Sequence, residues 1–148
     1  MRRDPVSLGQ RGVPVLKANV DFPVLPAGRQ LLVFTPERML VFEGREAGAV
    51  AYQDLQVDVS QVRFVEGETL PRDAKVVDRT WRYVNEEGGA DRRFKANPEI
   101  PVVLYEQIHF QSATGLNELF QVSRLGTGAP LEESFRALAS ELREAKAA

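Results

Sequence analysis

The sequence predicts a mainly β fold, a bent antiparallel sheet or partly open barrel, capped by one C-terminal α-helix. Three observations predict it. Short apolar runs recur between Gly- and Pro-containing turns from Leu31 to Ser123. One of them, residues 102–111, alternates along its whole length, with Val102, Leu104, Glu106, Ile108 and Phe110 set against Val103, Tyr105, Gln107, His109 and Gln111. Last, Leu131, Phe135, Leu138 and Leu142 follow at spacings of four, three and four, which is one stripe of a helix.

Residues 1–14 carry Pro5, Gly9, Gly12 and Pro14 and read as a flexible lead-in. A single domain is expected over 15–148. Residues 15–22 read as a short first strand, punctuated afterwards by Pro23, Pro26 and Gly28. Residues 31–35 and 39–43 flank Pro36-Glu37-Arg38 and predict a β-hairpin. A second turn at 44–48 leads to a strand over 49–55 that carries Val50 and Tyr52. Within residues 56–66, Val57 and Val59 share one parity while Val62 and Phe64 share the other. A slip of one residue turns a strand over, and a bulge or break near Gln61 repairs it. Residues 67–75 read as a loop. A strand over 76–86 places Val77, Trp81 and Tyr83 on one face, and Gly88-Gly89 then marks a turn. After residues 102–111, a turn at 112–115 returns the chain as a last strand over 116–123. The helix is expected over about 130–145, with Pro130, Glu132 and Glu133 suited to its N-terminal end and Arg143 and Lys146 to its C-terminal end.

The chain's 148 residues fit one domain. With 43% hydrophobic and 27% charged residues it has enough apolar surface to offset chain entropy. Its 19 basic and 21 acidic residues give a net charge of −2, so no global field draws it to nucleic acid or anionic membrane. The absence of cysteine excludes disulfides and thiolate chemistry, and the single histidine, His109, excludes any site built on two. No apolar leader segment and no run near the ~20 residues of a membrane span is visible, so the cytoplasm is the expected location.

The segment Leu31-Leu32-Val33-Phe34-Thr35-Pro36-Glu37-Arg38-Met39-Leu40-Val41-Phe42, followed by Tyr52-Gln53-Asp54-Leu55, resembles the strand-turn-strand signature of bacterial pleckstrin-homology and GRAM-like domains. A broader likeness rests on Phe34-Thr35-Pro36-Glu37-Arg38, Arg63-Phe64-Val65-Glu66, Thr80-Trp81-Arg82-Tyr83-Val84 and Gly88-Gly89-Ala90-Asp91-Arg92-Arg93-Phe94. These are similar to an uncharacterised bacterial domain family, with Ala90 standing where that family usually has Pro. The resemblance implies a pleckstrin-homology-like barrel plugged by the terminal helix. It implies no activity, and lipid binding does not transfer on fold alone. Arg38 and Arg45 are the only cations from Gln30 to Gln53, so the dense basic loop of lipid-binding relatives is missing.

Candidate binding residues gather around the glycine turn: Trp81, Arg82, Asp91, Arg92, Arg93 and Lys95. Guanidinium forks on a loop match phosphate or carboxylate oxygens, and Trp81 with Tyr83 offers bases a stacking surface. The plainer reading is a solvated hairpin in which Asp91 satisfies local backbone groups and pairs an arginine. His109 suits a general base, but Glu106 lies on the opposite face of an unbroken strand, so a structural histidine is the plainer reading. Asp78, Glu106 and Asp91 are the carboxylates whose convergence an enzyme would need. Gly126-Thr127-Gly128 precedes the helix, where an anion can bind, or where Thr127 or Gly128 simply caps it. No catalytic, metal-binding or cofactor motif is present. The leading expectation is therefore a non-enzymatic interaction module that binds another protein or a second copy of itself. Binding of nucleic acid or an anionic ligand through Arg82, Arg92, Arg93 and Lys95 is the alternative, and a small enzyme using His109 is the third.

Overall fold

The computed structural model describes residues 5–11 and 17–148. Nine strands and one α-helix follow in order among them: β1 (Gly9–Arg11), β2 (Phe22–Ala27), β3 (Gln30–Phe34), β4 (Arg38–Glu43), β5 (Glu46–Ala51), β6 (Gln56–Val65), β7 (Lys75–Trp81), β8 (Glu99–Gln111), β9 (Asn117–Val122) and α1 (Gly128–Ala147). The strands form two antiparallel sheets, neither closed, so the protein is mainly β with one C-terminal helix. Among the described residues, no helix is long and apolar enough to cross a membrane. The chain divides into two compact units. The first holds Met1–Gln56, Phe110–Glu118 and Glu133–Ala148, and the second holds Val57–His109 and Leu119–Glu132.

In the first unit, β1 to β5 lie side by side in chain order. Two of the hairpins turn on two residues each, Gly28-Arg29 and Gly44-Arg45. Each places a glycine of positive φ, 58° and 59°, at the first turn position. That is the pattern of a type II′ turn, whose twist matches the twist of the strands it joins. The predicted hairpin at Pro36 forms as well. Its loop is closed by Thr35, whose hydroxyl and backbone N–H both donate to the Arg38 carbonyl, at 2.7 and 3.2 Å.

The strand register sorts this sheet into two apolar faces. Leu32, Met39 and Val50 share one face and are buried; Val24 and Val33 share the other, packed against Phe22, Leu31, Leu40 and Phe42. Onto the Leu32 face comes Phe135 of α1. Its ring lies 5.6 Å from Phe34, 5.7 Å from Tyr52 and 5.8 Å from Phe110, edge-on to the last. The predicted helical stripe thus has one residue that anchors it here, and Ala139, one turn on, is buried beside it in the sequence.

In the second unit the order is β6-β8-β7, with β9 also paired to β8. Val102, Val103, Tyr105 and Ile108 form its buried apolar set. Glu66 is buried among them and satisfied: Tyr105 donates its hydroxyl to Glu66 Oε2 at 2.7 Å, and the Glu68 N–H donates to Oε1 at 3.2 Å. The expected parity slip in β6 is real. Ser60 and Gln61 are both exposed, and the half-buried residues change from Val57 and Val59 to Val62 and Phe64.

Several sequence-based boundaries need correction. The strand expected at 15–22 instead begins at Phe22 and runs through Pro23 and Pro26; residues 12–16 lie outside the described residues. Proline is tolerated where its missing N–H is not needed by a neighbouring strand. The lead-in contains β1, paired to β2 from Gly9↔Val24 to Arg11↔Phe22. The strand expected through Tyr52 stops at Ala51, and Tyr52–Asp54 form a 3₁₀ turn. The reason is Tyr52 itself: its hydroxyl donates to the Thr35 carbonyl at 2.6 Å and its ring stacks on Phe135, which pulls the chain off the strand path. The strand over 76–86 ends at Trp81, and a bulge between Val76 and Asp78 breaks the expected Val77–Trp81–Tyr83 row. The helix begins at Gly128, so Glu132 and Glu133 fall beyond its first turn.

Burial pushes the Tyr52 phenol up from an ordinary value near 10 to about 12. The fold thus favours the neutral phenol. Its contribution is whole below about pH 10 and is lost at roughly 1.4 kcal/mol per pH unit as pH climbs to about 12. Urea unfolding across that range is expected to show this descent in the wild-type protein and a shallower one in Tyr52→Phe. Parallel profiles would show that the phenol does not drive it.

Candidate functional site

All the predicted binding residues lie in the second unit, on the excursion that leaves β7 at Trp81 and rejoins β8 at Glu99. This excursion is long, yet it is cross-linked by hydrogen bonds along its length. At its tip Asn85 Oδ1 accepts the N–H groups of Glu87 and Gly89, at 3.1 and 2.7 Å, while Gly88 takes φ 83°. This is the glycine turn the sequence announced, with an Asn supplying the local acceptor. At its base Asn97 reads both backbone groups of Tyr83: Oδ1 accepts the Tyr83 N–H at 2.9 Å, and Nδ2 donates to the Tyr83 carbonyl at 2.7 Å. The Arg82 N–H donates to the Pro98 carbonyl, and the Asp91 N–H to the Tyr83 carbonyl, both at 3.0 Å.

Asp91 is the loop's internal staple. It is buried, accepts the Arg93 N–H and Nε through Oδ1 at 3.0 Å each, and takes Arg93 Nη2 on Oδ2 at 2.6 Å. Hydrogen bonds from the Arg93 side chain, then from its backbone, hold the Asp91 carboxyl below the usual carboxylate range. Its contribution is therefore complete above about pH 4 and falls away only as pH drops through the lowered value. The plainer reading of Asp91 and Arg93 is thus correct for that pair.

The rest of the cluster is different. Arg82, Arg92 and Lys95 are exposed, and among the described residues they form no ion pair. Trp81 is half-buried at the end of β7, opposite Glu99. It does not stack with Tyr83, as a base-stacking platform would need. Tyr83 stacks instead on Phe94, with ring centroids 4.0 Å apart and planes 14° apart, and both remain exposed at 39% and 43%. The sequence does not announce this pair, because the two residues are separated along the chain and the loop between them does not keep strand parity. The signals were Asn85, two residues past Tyr83, and Asn97, three past Phe94.

The carboxylates proposed for an enzyme do not meet. Asp78 pairs with Arg63 at 2.7 Å, Asp91 holds Arg93, and Glu106 turns to the start of the helix. Among the described residues, no group of three or more His, Asp or Glu side chains is placed to hold a metal ion. His109 is half-buried on β8.

Glu106 also decides the Gly126-Thr127-Gly128 motif. Its carboxylate is 5% exposed and accepts three successive backbone N–H groups, from Gly126 at 3.3 Å, Thr127 at 2.9 Å and Gly128 at 2.8 Å. The helix N-terminus is an anion site, and the anion is this chain's own side chain. The Thr127 hydroxyl does not cap; it donates back to the Arg124 carbonyl at 2.9 Å. Gly128 is required for lack of space. A Cβ there would lie 2.5 Å from Val59 Cγ1 and 3.4 Å from Glu106 Cδ.

Gly128→Ala is expected to lower stability by about 1–3 kcal/mol through overpacking, and Val59→Ala in the same chain is expected to recover part of that loss. Glu106→Gln, which keeps the shape and removes the charge, is expected to cost about 2 kcal/mol. Thermal or urea unfolding measures all three; additive effects of the first two would show that Gly128 and Val59 are not in contact. Comparison with known proteins adds no further constraint: no family model, no curated protein and no solved structure matches this chain.

Proposed function

We propose that this chain is a non-enzymatic protein-interaction module of pleckstrin-homology-like fold, and that the 82–98 excursion is its contact surface. One observation carries the reading. Two aromatic rings, Tyr83 and Phe94, stand exposed and stacked on a loop already locked by Asn85, Asn97 and the Asp91–Arg93 pair. Exposed aromatics cost hydration free energy, and the single-chain fold gains no burial from leaving them out. Aromatic and arginine side chains on a preorganised scaffold are what interface hot spots consist of, because little conformational entropy remains to be lost on binding. Arg82, Arg92 and Lys95 surround the rings with cations suited to an acidic rim on the partner.

A second reading has its own support. Stacked rings beside unpaired cations are also how single-stranded nucleic acid is held without sequence preference. The net charge of −2 argues against a strong electrostatic pull, so this reading takes second place.

With a partner identified by affinity capture from the native host, calorimetry is expected to show Tyr83→Ala and Phe94→Ala each weakening binding about tenfold or more, with the folded circular-dichroism spectrum retained. Wild-type affinity in both variants would remove the loop from the interface. Binding of an oligothymidylate that weakens with salt, at a slope of about −0.7 per phosphate contacted, would place the second reading first.

A further inference from the structure

A separate surface lies in the first unit. β5 ends the five-stranded sheet, and among the described residues it pairs only with β4. Its sequence, Glu46-Ala47-Gly48-Ala49-Val50-Ala51, leaves four successive residues exposed, from Glu46 to Ala49. It lacks the usual protection of an edge, since it has no proline, no bulge and no lysine. Glu43 and Glu46 flank the two-residue turn, so they form the hydrogen-bonded closing pair, and alternate residues follow that pattern. Ala47, Ala49 and Ala51 therefore direct their N–H and C=O groups to the open edge.

Beside this edge runs a groove of about 360 Å³, lined by β5, by Gln30, Val41 and Glu43, and by the turn at Thr114, Gly115 and Leu116. Gly48 leaves it open, with no atom of the described residues within 4 Å of where a Cβ would stand. The polar groups of the groove are mostly acceptors. Gln30 Nε2 donates to Glu43 Oε2 at 3.0 Å, which fixes the orientation of the amide, and Gln30 Oε1 is then buried with no hydrogen-bond partner among the described residues. Such an orphan acceptor is costly to bury. Arg29 meets Glu43 only from the solvent side, at 3.1 Å and with its own side chain 90% exposed. Glu46 has no ion pair among the described residues. Burial, and then the charge of Glu43, holds the Glu118 carboxyl above the usual carboxylate range, so a third acid stands close by.

We infer that β5 accepts an extended peptide segment as an added antiparallel strand, and that this segment carries a lysine or arginine whose side chain enters the Gln30–Glu43–Glu46 groove. The backbone edge gives affinity without regard to sequence, and the acceptor-lined groove gives specificity for a basic residue. This surface is distinct from the 82–98 excursion, so it stands or falls independently of the function proposed for that loop.

The test uses the full chain and a capped eight-residue peptide of alternating valine and lysine, with a valine–glutamate peptide as its counterpart. The lysine peptide is expected to bind and to slow hydrogen exchange at the Ala47 and Ala49 amides. Ala49→Pro, which removes an outward N–H, and the double change Glu43→Gln with Glu46→Gln are each expected to weaken binding about tenfold with the Tm retained. If Ala49→Pro fails to fold, the glutamine pair alone decides. Absence of binding at millimolar peptide, equal binding of the glutamate peptide, or undiminished binding by the glutamine pair would overturn the inference. Protection of the same amides that rises with protein concentration alone would assign the edge to a second copy and overturn it as well.

Discussion

The Glu106 carboxylate is the constraint on which the second unit's C-terminal end depends. A buried charge is costly unless it is fully hydrogen-bonded. Here three consecutive backbone N–H groups meet it at the point where the helix needs an anion. The two costs cancel: the helix's unpaired donors and the strand's buried acid satisfy each other. The arrangement also dictates sequence. Residues 126–128 must bring their backbone close to β8, and the absence of a side chain at Gly128 lets Val59 fill the space above. An acid that the sequence offers to catalysis is thereby committed to architecture.

The same logic accounts for most of the other carboxylates the sequence singles out. Glu66 is tied to Tyr105, Asp78 to Arg63 and Asp91 to Arg93. The first and last of these acids are buried, and each has a donor aimed at it, as buried carboxylates require. What remains outside this accounting is informative. Tyr83 and Phe94 stack on each other but bury little, and Gln30 Oε1 is buried but accepts no hydrogen bond from the described residues. One lies on the loop proposed for protein contact, the other beside the open edge of β5.

Much of the fold was legible in the chain. The 3.6-residue stripe announced α1, the alternation at 102–111 announced β8, and the glycine-led turns at Gly44 and Gly88 fell where expected. Even the parity slip in β6 could be read, because the sheet has distinguishable faces there. The candidate site was legible only in part. The cluster of candidate residues could be named, but which of them the fold ties up could not. Arg92 and Arg93 are adjacent and chemically identical; only the loop's path sends Arg93 onto Asp91 and leaves Arg92 exposed.

The sequence by itself determined the class of fold, the helix and its apolar stripe, the absence of thiol and multi-histidine chemistry, and the segment that carries the candidate binding residues. These follow from periodicity and composition, which are local properties. Tertiary structure decided everything that needs two distant residues to meet. It drew Tyr52 off its strand onto Thr35 and Phe135, closed the helix end with Glu106 in place of the nearby Glu132 and Glu133, and stacked Tyr83 on Phe94. The physical reason is the same each time. A side chain's partner is set by where the backbone delivers it, and that path is fixed by pairings no short window of sequence contains.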